Sequence, residues 1–273
     1  MRSPATGPDG TPGMAAPPGL AALIARYFRV SPAAGLYHVI RCLGFPRLAA
    51  VERALPKEGD ILDAGCGYGL LSVLAAARAP RRRVVGIDRL ASRLAVGERV
   101  ARRLGLANLR LESGRIEALP PGPFDAIVIV DVLLYRPLAG QAAVIRACRE
   151  RLRPGGRLLI KEQMREPSWK ARCVDLQERL VVGFKTGKDR GGPWAEMAPS
   201  GTHLWTSDGV MALLRDSGLL ATIEPLHAGC YLSHHLVIGV APRRPAPAAR
   251  TSVAARDPAA AEDPAAAAQS PAA

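Results

Sequence analysis

The stretch ILDAGCGYGLLSVLAA, at 61–76, sets Gly65, Gly67 and Gly69 at alternate positions between a run that reads as strand and one that reads as helix. Glycine admits a left-handed backbone and lets a ligand approach the main chain, and the start of the following helix offers unpaired N–H groups. The dinucleotide pattern G-x-G-x-x-G is not met, because Leu70 stands where its third glycine would be. Asp63 precedes the turn; a carboxylate there repels a pyrophosphate and favours a ligand with a positively charged end. A second acid, Asp88, closes VVGID with Arg89 beside it, and its two oxygens suit a pair of ligand hydroxyls. Each acid also has a purely structural reading: Asp63 and Asp88 as caps of the helices that follow them, Asp125 as a surface residue opening a strand. Groups able to move a proton come later: Lys161 and Glu162 at a strand end, His203, His227 and the adjacent pair His234 and His235. Alternation along a strand turns one of that pair inward. Glu162, His203 and His235 are the residues expected to serve catalysis, whereas His38 is expected to be structural.

These residues need a scaffold that alternates strand and helix. Residues 60–64, 83–87, 109–112, 124–130 and 157–161 read as short apolar strands. Helices are expected at 70–78, 89–104 and 139–152, with RPGG at 153–156 as a turn. Such alternation predicts a doubly wound α/β fold, a parallel sheet covered on both faces. A helix at 207–217 and strands at 220–224 and 235–240 complete it. Leu20, Leu23, Ile24, Tyr27 and Phe28 follow helical spacing ahead of the first strand, with Tyr27 and Phe28 expected to seal the sheet. Residues 163–205 interrupt the rhythm and are expected to form an insert with its own helix. Trp169, Cys173, Leu176, Leu180 and Phe184 are spaced for it, with Lys170, Arg172, Arg179 and Lys185 among them. That helix either packs over the sheet edge or acts as a cap or membrane-facing element. The domain is expected to span 19–241, and the Pro, Gly and Ala-rich ends, 1–18 and 242–273, to be disordered.

The formal charge of +13 resides in the body of the chain, since the few charges of the two ends nearly cancel. It fits nucleic acid, an anionic membrane face or an anionic substrate, and equally plain solubility. The five cysteines are scattered and never form a C-x-x-C pair, which argues against a disulfide framework or a zinc site. No metal is expected. With neither a signal peptide nor an apolar run long enough to span a bilayer, a cytoplasmic address is expected, with peripheral contact to an anionic inner-membrane face open to the basic insert.

LDAGCGYG resembles the first motif of class I S-adenosylmethionine-dependent methyltransferases, and VVGID, FDAIVIVDVLLY and LRPGGRLLI follow in that family's order. The resemblance covers roughly residues 50–240 and implies a Rossmann-like sheet of seven strands whose last strand is antiparallel. It implies S-adenosylmethionine as cofactor, with Asp63 toward the ammonium, Asp88 on the ribose hydroxyls, and Gly65, Cys66, Gly67, Gly69, Arg89, Arg115, Ile116 and Asp131 around it. The chain departs from the pattern in SGRIEALP, where Arg115 replaces the acid that accepts from the adenine amino group. Arginine accepts no hydrogen bond. Either a backbone carbonyl and Ile116 hold adenine, or Glu117 takes over, or adenine affinity is reduced.

Base methylation of nucleic acid is disfavoured, since the fourth strand ends in DVLLY and no proline adjoins a cysteine. The layout is similar to small-molecule and lipid-pathway members of the family, which implies transfer to an oxygen of a small hydrophobic or lipid-like acceptor in a bacterial biosynthetic pathway. Asp131 and Tyr135 are then expected to line the acceptor pocket. An RNA ribose methyltransferase and a non-catalytic binding protein of the same fold are the alternatives.

Overall fold

The computed structural model describes residues 18–44, 48–165, 203–226 and 233–243. The helix expected from Trp169 to Phe184, His227 and almost all of both expected tails lie outside these residues. Three helices, α1 (Leu20–Val30), α2 (Pro32–Gly44) and α3 (Leu48–Ala54), precede β1 (Gly59–Ala64). There follow α4 (Leu70–Arg78), β2 (Arg82–Asp88), α5 (Ala91–Arg103), β3 (Leu109–Ser113), β4 (Phe124–Val130), α6 (Leu138–Glu150) and β5 (Leu152–Gln163). The chain closes with α7 (Ser207–Asp216), β6 (Leu220–Pro225) and β7 (His234–Val240).

The seven strands form one sheet in the order β3-β2-β1-β4-β5-β7-β6. β1 to β5 are parallel, and β7 runs antiparallel to both β5 and β6. Order reverses between β1 and β4, which puts the ligand crevice of an open sheet at their carboxyl ends. The continuous apolar run of β4 is explained by burial on both sides: Ala126, Ile127, Val128 and Ile129 have no exposed surface. On one face Leu62, Ile127, Ile160 and Val237 pack against Ile145 of α6 and Leu214 of α7. On the other, Ile61, Val128, Leu159 and Leu236 meet Val51 of α3 and Leu71 of α4.

Several expectations are corrected. RPGG does not end before β5 but lies within it: Phe124 pairs with Leu152 and Ala126 with Arg157, so the intervening residues are accommodated as a bulge. The helix expected from Arg89 starts at Ala91, and Asp88 does not cap it, since its N-cap residue is Leu90 and no side chain serves there. Tyr27 is fully buried, but Phe28 is 38% exposed, its ring lying over Gly35 of α2. Asp125 is a junction and not an idle surface group. Its Oδ2 accepts from the Asp60 amide and from Arg153, and Arg153 also reaches Asp60.

Candidate functional site

The turn between β1 and α4 needs its glycines. Gly65, Gly67 and Gly69 have φ of 84°, 60° and 76°, a left-handed region costly to other residues. A Cβ at Gly65 would lie 2.7 Å from Val132 Cγ2, so the turn touches the segment after β4. A Cβ at Gly67 would meet nothing within 4 Å, which leaves that side of the main chain open to a ligand. The Gly65 and Cys66 amides both donate to the Ile87 carbonyl, tying the turn to the end of β2.

Asp88 stands at that strand end with both carboxylate oxygens committed to backbone. Oδ2 accepts from Gly67 N at 3.0 Å and Oδ1 from Leu90 N at 2.9 Å. Two amides therefore hold it in one orientation beside the glycine turn, and each oxygen retains acceptor capacity for a ligand hydroxyl. Arg89 follows it between β2 and α5.

Asp63 is 3% exposed and sits under the turn, accepting from Ser72 Oγ at 2.5 Å. Burial lifts its carboxyl to about 7, opposed by the Ser72 hydroxyl and helped by the Asp88 charge. The same surroundings, burial first, push the Cys66 thiol well up, so it stays protonated and takes no nucleophilic part. A carboxyl raised by folding takes up a proton as the chain folds. Its stabilising contribution is whole below its unfolded value of about 4 and is lost as pH rises through about 7. Across that window the melting temperature of Asp63→Asn should fall less steeply with pH than that of the parent, as thermal unfolding at several pH values would show.

The N-terminal helices reach the same turn. The Tyr27 hydroxyl of α1 donates to the Tyr68 carbonyl at 2.9 Å, and His38 of α2 lies edge-on to both Tyr27 and Tyr68. Arg93 of α5 covers the Tyr68 ring at 5.4 Å. Sequence spacing marked Tyr27 as apolar core; its polar tip, which ties α1 to the glycine turn, has no local signal.

After β3, Ile116 is 4% exposed and packs into the core with Ile87. Glu117 is engaged by Arg136 and lies 3.7 Å from Arg115 Nε. Arg115 itself is 68% exposed at its side chain. Of the groups named for adenine, Ile116 offers an apolar wall, while Glu117 is drawn toward two cations.

Beyond β4 the chain turns through Asp131, a non-glycine residue with φ of 52°. Its carboxylate takes both bonds from the buried Lys161 ammonium, at 2.9 and 2.7 Å, and His234 Nδ1 lies 3.8 Å from Oδ1. Alternation along β5 and β7, with Lys161 opposite Leu236, puts Lys161 and His234 on one face of the sheet. Glu162 and His235 stand opposite each other on the other face. His235 is 7% exposed, with Nδ1 at 3.3 Å from the Ser233 carbonyl. The expected catalytic residue of the adjacent pair, His235, is thus turned away from Asp131, and its neighbour takes that place.

Glu162 anchors the segment after β4. Its Oε1 accepts from Val132 N and Leu133 N, both at 2.8 Å, and its Oε2 has no hydrogen-bond partner among the described residues. Burial foremost, and then the Asp131 charge, push its carboxyl to about 8. It lines a small, largely apolar cavity together with His203, Trp205 and Gln141. His203 arrives there because its amide donates to the Leu134 carbonyl.

Gln141 of α6, 2% exposed, joins these parts. It donates to the Arg136 carbonyl at 2.9 Å and the His203 carbonyl at 2.8 Å, and accepts from Trp205 Nε1 at 2.8 Å. Sequence reasoning missed it, since a lone glutamine in a helix carries no signal. Gln141→Leu keeps the volume but removes the partner of three partly buried polar groups, and should cost about 1–3 kcal/mol in chemical denaturation.

The residues present fit S-adenosylmethionine. The open flank of Gly67 admits its amino-acid end, and the oriented Asp88 carboxylate suits its ribose diol. Comparison with known proteins agrees. Residues 55–198, just over half of the chain, match the family described as methyltransferase domain. The ubiquinone biosynthesis O-methyltransferase of Xylella fastidiosa (strain 9a5c) is 38% identical over 193 residues, 68% of this chain and 67% of that protein. Its namesake from Cereibacter sphaeroides (strain KD131 / KCTC 12085) is 31% identical over 171 residues, 60% of this chain and 62% of that protein. The chain thus spans about two thirds of the length of these relatives. An O-methyltransferase family protein from Burkholderia thailandensis shares the fold at a TM-score of 0.60 and 16% identity, over 77% of this chain and 59% of that one. The glycine turn, the strand order and the matched domain together establish that the chain belongs to the class I S-adenosylmethionine-dependent methyltransferases.

Proposed function

We propose that the protein transfers the methyl group of S-adenosylmethionine to a hydroxyl oxygen of a small, lipid-like acceptor in a bacterial biosynthetic pathway. Support for the donor rests on one observation above all: Asp88, pinned by the Gly67 and Leu90 amides, faces a turn of three left-handed glycines. Support for oxygen as the acceptor atom comes from the relatives named ubiquinone biosynthesis O-methyltransferase. When bound, the cofactor supplies an electrophilic methyl group on a cationic sulfur.

The chain's own residues then bind and align. Asp88 receives the ribose hydroxyls, Gly67 leaves room for the amino-acid end, and Asp63, bonded by the Ser72 hydroxyl, supports the turn from beneath. Ile116 walls the adenine, with Arg89 and Arg115 at its rim. Glu162 holds the Val132–Leu133 amides so that the segment after β4 stays packed against Gly65, and His203 closes the far side of that segment. Alignment of acceptor oxygen and methyl carbon is the main requirement of such a transfer.

Incubation of the protein with methyl-labelled donor and, separately, bacterial lipid extract and RNA tests this reading. Label in an organic-soluble phenol or alcohol ether is expected. Label confined to RNA would replace the reading with ribose methylation, for which the basic charge of the chain is the supporting feature. Among the described residues no helix is long and apolar enough to cross a membrane.

A further inference from the structure

Glu162 and His203 line one cavity at the carboxyl ends of β4 and β5, and each brings a polar atom that the fold leaves unused. Glu162 Oε2 and His203 Nε2 are buried and have no hydrogen-bond partner among the described residues, whether each other or a third group. Gln141, also in the wall, has both amide hydrogens and its oxygen engaged. Leu133, Ile145, Ile160 and Val210 make much of the remainder apolar. A buried polar atom without a partner costs free energy, so two of them on one cavity call for a ligand group. The place suits the acceptor. Leu133 follows Val132, which packs against Gly65, so one stretch of chain separates the cavity from the cofactor turn. An open sheet of this kind binds its ligands at these strand ends.

We infer that this cavity anchors the acceptor by one neutral hydroxyl, whose oxygen accepts from Glu162 Oε2 and whose hydrogen is donated to His203 Nε2. The inference rests on the hydroxyl-methylation reading above and adds to it the group by which the acceptor is recognised. Glu162 Oε1 already accepts from two amides, so a proton on this carboxyl belongs on Oε2, the free oxygen. Burial, which raises the carboxyl to about 8, keeps it in that donor form at neutral pH. A hydroxyl is both donor and acceptor and so meets both atoms at once. A cation finds no ionised carboxylate there at neutral pH, and an anion finds no fixed positive charge on the cavity wall. The cavity is small, so it takes one substituent and leaves the apolar body of the acceptor outside. Glu162 and His203 act here as specificity-determining residues and exchange no proton with the reacting atoms.

The test is calorimetric titration of two probes, 4-butylphenol and 4-butyltoluene, into the protein saturated with S-adenosylhomocysteine. The probes have nearly the same shape, and the second lacks the hydroxyl. The parent is expected to bind 4-butylphenol tighter by about 10-fold or more, because the methyl group leaves both buried atoms unpaired. His203→Leu should reduce that preference to within about 3-fold, without loss of S-adenosylhomocysteine affinity. Glu162→Gln should retain it, since its carbonyl oxygen can still accept from both amides and its NH2 group donates where Oε2 did. If His203→Leu does not fold, His203→Phe carries the comparison. Equal affinity for the two probes in the parent, no binding of 4-butylphenol, or an undiminished preference in the folded His203 variant overturns the inference. Those outcomes leave hydroxyl methylation standing, because the probes report binding and not transfer. Label confined to RNA in the transfer assay above overturns the underlying reading, and the inference with it.

Discussion

Replacing Asp88 with alanine is expected to weaken binding of S-adenosylhomocysteine by about 100-fold or more, the equivalent of losing two charge-assisted hydrogen bonds at roughly 1.5–3 kcal/mol each. The effect has two parts. The ribose diol loses its acceptors, and the Gly67 and Leu90 amides lose the carboxylate that positions the turn. Asp88→Asn separates them: its single carbonyl oxygen still accepts from one amide, but its NH2 group offers a donor where the diol needs an acceptor. Calorimetric titration should therefore rank the parent tightest, then the asparagine variant, then alanine. Equal affinity in all three would remove Asp88 from the cofactor site. The expected loss is larger than any at Arg115, whose side chain is mostly in solvent.

Arg82→Met should destabilise the domain by about 3–5 kcal/mol, because it breaks a buried ion pair from one side. Arg82 is 3% exposed at the start of β2, and its guanidinium serves several elements at once. It donates to Glu52 Oε1 of α3 at 2.7 Å, to the Pro56 carbonyl at 2.7 Å and to the Ala75 carbonyl of α4 at 3.0 Å. Methionine fills the space but satisfies none of them. Glu52 would retain only Arg78, which is partly exposed. Adding Glu52→Leu to Arg82→Met removes the half-paired charge and should restore part of the loss, although the Leu55, Pro56 and Ala75 carbonyls still lose the guanidinium. In a domain of this size the single variant corresponds to a fall in melting temperature of about 10 °C. Since Arg82 lies at the amino end of β2, opposite Gly59 and away from the glycine turn at the carboxyl end of β1, S-adenosylhomocysteine affinity should change little below the melting range.

Much of the scaffold was legible because its signals are local. A both-face-buried strand such as β4 must be aliphatic, and its residues, 124–130, matched the structure to the residue. The helix after the glycine turn did so as well, at 70–78. Where ends differed, a partner intervened. β5 runs through RPGG because β4 offers a pairing partner at Phe124, and Gly155, with φ of 80°, supplies the bulge. Asp88 was read either as a ribose acceptor or as a helix cap; the helix starts late and the carboxylate turns back to Gly67, which leaves the ribose reading as the proposal.

The sequence by itself determined the order of strands and helices, the left-handed turn and the acid after β2, since each follows from what one short segment can adopt or bury. Which side chains meet across the sheet was decided only by tertiary structure. Asp131 and Lys161 are 30 residues apart, and Gln141 and Trp205 are 64 apart. The choice between His234 and His235 depends on the register of β5 against β7, in which Gln163 lies opposite His234. A slip of one residue would exchange the two faces, and nothing within HH itself encodes that register. Tyr27 is a similar case: its apolar ring was predictable from helical spacing, but the Tyr68 carbonyl that receives its hydroxyl is brought there only when α1 packs on α4 and α5.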